Sequence, residues 1–248
     1  MTSTKPKTSN ISIIVPTLDE ADNLAALHSI ASMANELIIA DGGSEDETVR
    51  LAKEYSFQVV VSHGGRGAQL NAGAAAAASP LLLFLHADTR LPADFPEAVT
   101  ACLENPATIL GAFSLQVETG RPLIRLICRA ANIRSKILQL PYGDQALFLR
   151  KDTFNKLGGF PEIPIMEDYA LVKSAQKAGQ VVTLSQAVTT STRRWQKLGP
   201  IRTTLVNQLM LAGYHLGISP VKLALFYRSR TRSIFRKLGG DKGTDTVG

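Results

Sequence analysis

The stretch "LLLFLHADTRLP", residues 81–92, decides how the chain is read. Apolar residues 81–85 run straight into His86, Ala87, Asp88 and Thr89, and Pro92 closes the stretch. A continuous apolar run without polar alternation is read as a strand covered on both faces. Such strands belong to parallel sheets flanked by helices, where ligands bind beyond the carboxyl ends of the strands. The plain interpretation of His86 and Asp88 is a polar turn after a strand. The functional one is a carboxylate at the mouth of a crevice. A lone Asp there suits a hard divalent cation, which takes one or two carboxylates together with substrate phosphates.

Working towards the N-terminus, the same grammar repeats. "ISIIVPT" (11–17), "ELIIAD" (36–41) and "QVVVS" (58–62) are further short apolar strands. Between them, Leu24, Leu27, Ile30 and Met33 keep helical spacing, with Asp22 or Asn23 as the cap. Ser44 and Glu47 fit a capping box that opens a second helix. "HGGRGAQLNAGAAAAAS" is a Gly-rich turn feeding an Ala-rich helix. Strand–helix alternation over residues 11–89 predicts an α/β fold with a mostly parallel central sheet. The segments following the strands are then 17–20, 41–44, 63–67 and 86–88. Three of them carry a carboxylate, and the third carries Arg66 among glycines.

Beyond residue 92 the pattern changes. "ADFPEAVTACLEN" reads as a helix, and "ILGAFSLQVE" (109–118) and "YGDQALFLRK" (142–151) as strands. "RPLIRLICRAANIRSKILQL" between them is a basic amphipathic helix. A turn then leads to a helix from about Glu167, "QVVTLSQAVTTSTRRW" is strand-rich, and two final helices break near Ser219-Pro220. With no repeat and no long linker, residues 11–238 are expected to form one domain. Its parts are a nucleotide half (11–92), an acceptor half (93–198) and C-terminal helices (199–238), between disordered tails 1–10 and 239–248.

Composition narrows the function. The 248 residues are 45% hydrophobic and 19% charged, so a packed core is expected. The net charge of +6 suits nucleic acid, anionic lipid or a phosphorylated small molecule. Nucleic acid is set aside: the basic residues are not interleaved with aromatic stacking platforms, and the strand-end carboxylates would repel phosphates. Basic residues gather in 121–136 and 222–237, where apolar faces join them as in helices that lie on a membrane surface; a solvated helix face is the alternative. No apolar run reaches the ~20 residues that span a bilayer. Cys102 and Cys128 are read as reduced core thiols of a cytoplasmic protein, peripheral at the inner face of a membrane if those helices dock. Four histidines and two scattered cysteines argue against structural zinc.

Each remaining motif has a plain reading beside a functional one. Asp41 before two glycines is a turn, or an acceptor for a base or ribose hydroxyl. Asp19-Glu20 and Glu167-Asp168 place favourable charge at helix starts. "HGGRGAQLNAG" resembles a phosphate cradle but is neither a Walker A loop nor G-x-G-x-x-G; Gly73 and its alanines are read as allowing tight helix packing. Arg193 and Arg194 beside Trp195 are a solvated basic loop, or a clamp whose planar donors match phosphate oxygens.

Taken together, "ISIIVPTLDEADNL", "LIIADGGSEDET", "GRGAQLNAGA", "LFLHADTRLP", "GGFPEIPIMEDYAL" and "RRW" resemble, in this order, the inverting family-2 glycosyltransferases with the GT-A fold. The resemblance covers roughly residues 11–195. It implies that Pro16, Thr17 and Glu20, the Asp41–Gly42 loop, Arg66, Gln69, Asn71 and Ala87 hold the nucleotide. It implies that Asp88 is the last Asp of the D-x-D motif and holds Mn²⁺ or Mg²⁺. Here His86 replaces the first Asp. It also implies that Asp168 of the "ED" motif is the catalytic base, with Glu167 in support, and that Arg193, Arg194 and Trp195 meet the diphosphate or the acceptor. Ser191 stands where the processive members carry Gln, which argues against a polymer synthase.

The expected reaction is transfer of a sugar from a nucleotide sugar, with UDP as the default, to a small-molecule or lipid-linked acceptor. Attack from the face opposite the leaving diphosphate inverts the anomeric carbon. A sugar-1-phosphate nucleotidyltransferase is the second reading. It would want a Gly-rich, Arg-containing loop after the first strand, where this chain has the acidic "PTLDEADN".

Overall fold

A computed structural model describes residues 9–192, 195 and 199–238, with the side chains of 230–238 left aside. The chain divides into two compact units, Met1–Thr192 and Arg193–Gly248. The boundary lies a few residues before the expected start of the C-terminal helices at 199, and each unit is treated by itself.

The first unit carries an eight-stranded sheet in the order β3-β2-β1-β4-β7-β6-β8-β5. Its amino-terminal half is β1 (Ile11–Thr17), α1 (Leu24–Ala31), β2 (Glu36–Asp41), α2 (Thr48–Glu54), β3 (Gln58–Val61), α3 (Arg66–Ala76) and β4 (Leu81–Phe84). Strands β1, β2, β3 and β4 run parallel, with Ile13 beside both Leu37 and Leu83. Ile11, Ile13, Ile14, Val15, Ile38, Ile39, Leu82 and Leu83 are buried in unbroken runs, because helices cover both faces of the central strands. Strand β3 departs from the expectation of full burial. It is the sheet's edge, and Gln58 and Val61 are exposed.

The remainder is β5 (Thr89–Arg90), α4 (Phe95–Glu104), β6 (Thr108–Val117), α5 (Pro122–Ile137), β7 (Phe148–Arg150), α6 (Lys151–Lys156), α7 (Glu167–Ala178) and β8 (Gln180–Thr190). Strand β7 joins β4 and β6 antiparallel, β8 runs parallel to β6, and β5 closes the edge antiparallel to β8. Helix α5 is pinned to β6 by Asn132. Its Oδ1 accepts from the Leu115 amide at 2.7 Å and its Nδ2 donates to the Leu115 carbonyl at 3.0 Å. In the second unit, α8 (Pro200–His215) and α9 (Pro220–Leu238) are separated at Gly217 and Pro220, as the Ser219-Pro220 break predicts.

Two local expectations are corrected. Helix α2 begins at Thr48 and not behind a Ser44–Glu47 capping box, because the Ser44 hydroxyl donates to Asp41 and the Thr48 amide donates to Asp46 Oδ1 at 2.8 Å. The stretch 142–151 is not one strand. Residues Gly143–Gln145 form a 3-10 turn, only Phe148–Arg150 extend, and α6 starts at Lys151. Gln145 causes the turn. Fully buried, it donates to the Phe113 carbonyl at 2.9 Å and accepts from the Tyr142 amide at 3.2 Å.

Gly73 permits the close approach of α3 to the sheet. A Cβ there would lie 2.5 Å from Ile14 Cγ2 and 3.4 Å from Ala40 Cβ, both in buried strands. Gly73→Val is therefore expected to lower stability by about 1–3 kcal/mol through overpacking. Urea unfolding should show a lower midpoint with an unchanged slope.

Candidate active site

The floor of the site is the junction of two loops that follow β1 and β2. Asp41 ends β2 and is 1% exposed. Its Oδ2 accepts from the Gly43 and Ser44 amides, both at 2.9 Å, and its Oδ1 accepts from the Thr17 hydroxyl at 3.1 Å and from Ser44 Oγ. The lacing continues outward. The Asp19 amide donates to Ser44 Oγ at 3.0 Å, the Glu45 amide to Asp19 Oδ1 at 2.9 Å, and the Glu20 amide to Thr48 Oγ1 at 2.9 Å. Asp19 adopts φ +55°, a left-handed conformation that Asp tolerates better than most residues. Gln69 reaches from α3 into the same junction, donating to the carbonyls of Thr17 at 2.8 Å and Ala40 at 2.9 Å.

The acid pair sits at the start of α7. The chain enters through Met166 at φ +72°, a strained conformation for a side chain of this size. The two acids then part. Glu167 is 5% exposed, with Oε1 3.4 Å from Arg66 Nε, and Arg66 Nη2 also donates to His86 Nε2. Burial pushes the Glu167 carboxyl above the usual range, the Arg66 charge opposes that, and Asp168 next door adds to the rise. Asp168 is half-buried. Its Oδ2 accepts from the Gly143 amide at 2.7 Å, and its Oδ1 accepts from the Tyr169 amide at 2.7 Å.

Gly143 is where it is because of its turn. The Arg134 guanidinium of α5 lies 3.5 Å from the centre of the Tyr142 ring, and Arg134 Nε donates to the Leu140 carbonyl at 3.2 Å. A Cβ at 143 would meet Asp168 Oδ2 at 2.9 Å and Arg66 Nη2 at 3.3 Å, so only glycine allows this approach. Pro16, Arg66, His86, Gly143, Phe160 and Asp168 line one small concavity.

Asp88 opens elsewhere. With Ala87, Arg90, Glu118, Thr190 and Ser191 it lines a polar cleft of about 280 Å³. The described residues contain no group of three or more His, Cys, Asp and Glu that would cage a metal. Two carboxylates among hydroxyls, Asp88 and a Glu118 that lies 3.6 Å from Arg90, fit a hard cation completed by phosphates and water, and do not fit an all-protein cage. His86 is turned to Arg66 and lines the other concavity.

The structure thus brings together Pro16, Arg66, His86 and Asp168, with Thr17, Asp41, Gly42 and Gln69 packed at the loop junction and Ala87 with Asp88 in the polar cleft. Three expected nucleotide ligands make hydrogen bonds within the protein. Glu20 accepts from Asn23 Nδ2, Gln69 bridges β1 and β2, and Asn71 grips Phe160, donating to its carbonyl at 2.8 Å and accepting from its amide at 2.9 Å. Asn71 thereby fixes the left-handed Gly158-Gly159 turn that leads to the acid pair. Trp195 is half-buried, and Arg193 and Arg194 lie outside the described residues. Sequence reasoning missed Tyr142, Gly143 and Arg134 as supports of Asp168. The only signal was the short "PYGD", a turn-forming composition.

Asp41 makes the site's stability depend on acid. Burial alone would raise its carboxyl, but the hydrogen bonds from Ser44, Gly43 and Thr17 outweigh burial and hold it below the usual range. A depressed carboxyl stabilises the fold above its unfolded pKa of about 3.9, and that stability is lost as pH falls through the lower folded value. Asp41→Asn should destabilise the protein at pH 7 by about 1–3 kcal/mol. Its denaturant midpoint should also change less than wild type's between pH 5 and pH 2.

Comparison with known proteins places this geometry. Residues 12–155 match the model of the family described as "Glycosyl transferase family 2". An uncharacterised glycosyltransferase of Mycobacterium tuberculosis (strain ATCC 25618 / H37Rv) is 30% identical over 91 residues, 36% of this chain and 42% of that protein. The chain therefore spans less than half the length of this curated relative. Among solved structures, the mannosyltransferase PcManGT from Pyrobaculum calidifontis, in complex with GDP-Man and Mn²⁺, aligns with a TM-score of 0.63 at 17% identity, over 98% of this chain and 78% of that one. Glucosyl-3-phosphoglycerate synthase from Mycobacterium tuberculosis, in complex with Mn²⁺, uridine diphosphate and glucosyl-3-phosphoglycerate, aligns with a TM-score of 0.53 at 18% identity, over 90% and 80%. At such identities the likeness is one of fold, the mostly parallel α/β sheet of GT-A. By its family match and its architecture, this chain belongs to the family-2 glycosyltransferases.

Proposed function

We propose that the chain transfers a sugar from a nucleotide sugar, by default a UDP-sugar, to a small-molecule or lipid-linked acceptor with inversion at the anomeric carbon. One observation carries this reading: two adjacent acids are held in different environments, Glu167 sealed against Arg66 and Asp168 at the rim of a concavity. Successive helical residues point about 100° apart, so one acid serves structure while its neighbour meets ligand.

Asp168 acts as the general base. The Gly143 amide on Oδ2 orients the carboxylate, which takes the acceptor's proton as the acceptor attacks the anomeric carbon. Arg66 holds Glu167 and His86 in place beside it. Pro16, Thr17 and the Asp41–Gly42 loop bound the nucleotide end, where Glu20, Gln69 and Asn71 shape the walls. A divalent cation, Mn²⁺ or Mg²⁺, held by Asp88 would neutralise charge growing on the leaving diphosphate. Arg193, Arg194 and Trp195, which follow β8 in sequence, are proposed to meet the diphosphate or the acceptor, the arginines by planar donors suited to phosphate oxygens. Relatives in fold are described with either GDP-Man or uridine diphosphate, so a GDP-sugar is the alternative donor. No described helix is long and apolar enough to cross a membrane. The proposed setting is the cytoplasm, with residues 11–238 acting as one catalytic domain.

Asp168→Asn should lower kcat by about 10²–10⁴-fold while donor affinity stays near wild type, measured by single-turnover transfer beside UDP-sugar titration. Equal transfer rates would move the base elsewhere, and lost donor binding would make Asp168 a ligand residue. Asp88→Ala should abolish the metal-dependent part of UDP binding with the fold intact. Calorimetric titration showing unchanged affinity for UDP with Mn²⁺ would remove Asp88 from the metal.

A further inference from the structure

Helix α5 carries an apolar stripe where none is needed for the fold. Its inner face, with Ile124, Cys128 and Ser135, is buried, and Asn132 pins it to β6. Leu123, Leu126, Ala130, Ile133 and Ile137 fall within about 80° of one another on the helix, facing away from that core. Leu126 is 61% exposed, Ile133 58% and Ile137 73%. Scattered exposed leucines are ordinary, but a continuous stripe marks an interaction surface.

Charge says what the stripe meets. Exposed Arg125, Arg129 and Lys136 form a ridge along one flank, Arg121 continues it at the N-terminal end, and residues 122–137 contain no acid. A second copy packed antiparallel about a two-fold axis would set this ridge against itself, and like charges so placed disfavour that pairing. An anionic bilayer accepts both parts, the aliphatic tips at the acyl boundary and the cations among the headgroups. At 16 residues the helix is too short to span a membrane and suited to lying flat on one.

We infer that the outer face of α5 is a docking surface for an anionic lipid bilayer. In this reading, which rests for its enzymology on the proposed transfer, the acceptor is presented at a membrane. The docking helix is also the one whose Arg134 braces the turn that holds Asp168.

The test is co-sedimentation of the full chain with vesicles of phosphatidylglycerol and phosphatidylcholine, against vesicles of phosphatidylcholine alone. Wild type should pellet with the anionic vesicles at low salt and be released at high salt. Two double variants, Leu126→Asp with Ile133→Asp and Arg125→Glu with Arg129→Glu, should each lower partitioning by at least about tenfold while melting as wild type does. A wild-type chain that stays in solution at low salt would overturn the inference. So would folded variants that pellet as wild type does, or light scattering showing a wild-type dimer that the Leu126/Ile133 variant dissolves. Donor hydrolysis without vesicles separates the two readings. Pelleting of a chain that hydrolyses no nucleotide sugar supports docking and overturns the transferase proposal.

Discussion

The sealed carboxylate of Asp41 is the constraint on which the rest of the site depends. Parallel strands end without hairpins, so their following loops have no partner strand to set their course. Asp41 supplies that course. It terminates β2, takes the Thr17 hydroxyl from the end of β1, and folds residues 43–44 back over itself. Ser44 passes the constraint to Asp19, and Thr48 passes it to Glu20. Asp41, Thr17 and Thr48 are buried, Glu20 and Ser44 half-buried and Asp19 exposed at the outer end, and a buried acceptor left without donors would cost more than its hydrogen bonds contribute. Two loops from different strands therefore behave as one rigid floor.

A second principle operates at the opposite wall, where one dipeptide yields two environments. Glu167 turns inward, where desolvation favours its neutral form and the Arg66 charge is the main restraint on the shift. Asp168, one residue on, is gripped by backbone amides at a rim shared with Pro16 and His86. The positioning comes from afar. Asn71 on α3 sets the glycine turn before α7, Gln145 sets the 3-10 turn, and Arg134 on α5 stacks on Tyr142 beside it. Nothing in "MED" alone distinguishes the two carboxylates.

What was legible in the sequence follows the range of the forces involved. Burial of β1, β2 and β4 on both faces is written locally, as runs of Ile, Leu and Val, and so the parallel sheet was readable. The helix breaks at Pro220 and the close packing at Gly73 are likewise local in cause. The "YGDQALFLRK" stretch was misread because its apolar half resembles a strand, while the residue that bends its first half, Gln145, does so through the distant Phe113 carbonyl. The Ser44–Glu47 capping pattern failed for the same reason: Asp41 offered the Ser44 hydroxyl a buried acceptor, which outcompetes a helix end open to water. Gln69 and Asn71 lay in a motif with the right residues, but the backbone atoms they hold are far away in the chain.

His86 draws these strands together. In the family pattern a carboxylate would stand there, two residues before Asp88. In this chain position 86 faces Arg66, the guanidinium already joined to Glu167. A third acid at that point would crowd Glu167 and Asp168 around a single cation, raising the cost of keeping any of them charged. An imidazole accepts the Arg66 hydrogen bond without adding negative charge, and leaves the guanidinium's attraction for Glu167. The consequence falls on Asp88, one residue beyond Ala87 and open to the other cleft. The exchange of an acid for a histidine thus eases the crowding of charge at the Asp168 wall and leaves Asp88 and Glu118 as the carboxylates of the other cleft. In the proposed reading, a cation held by Asp88 would draw further ligands from the donor's phosphates and from water, which would couple its binding to that of the donor.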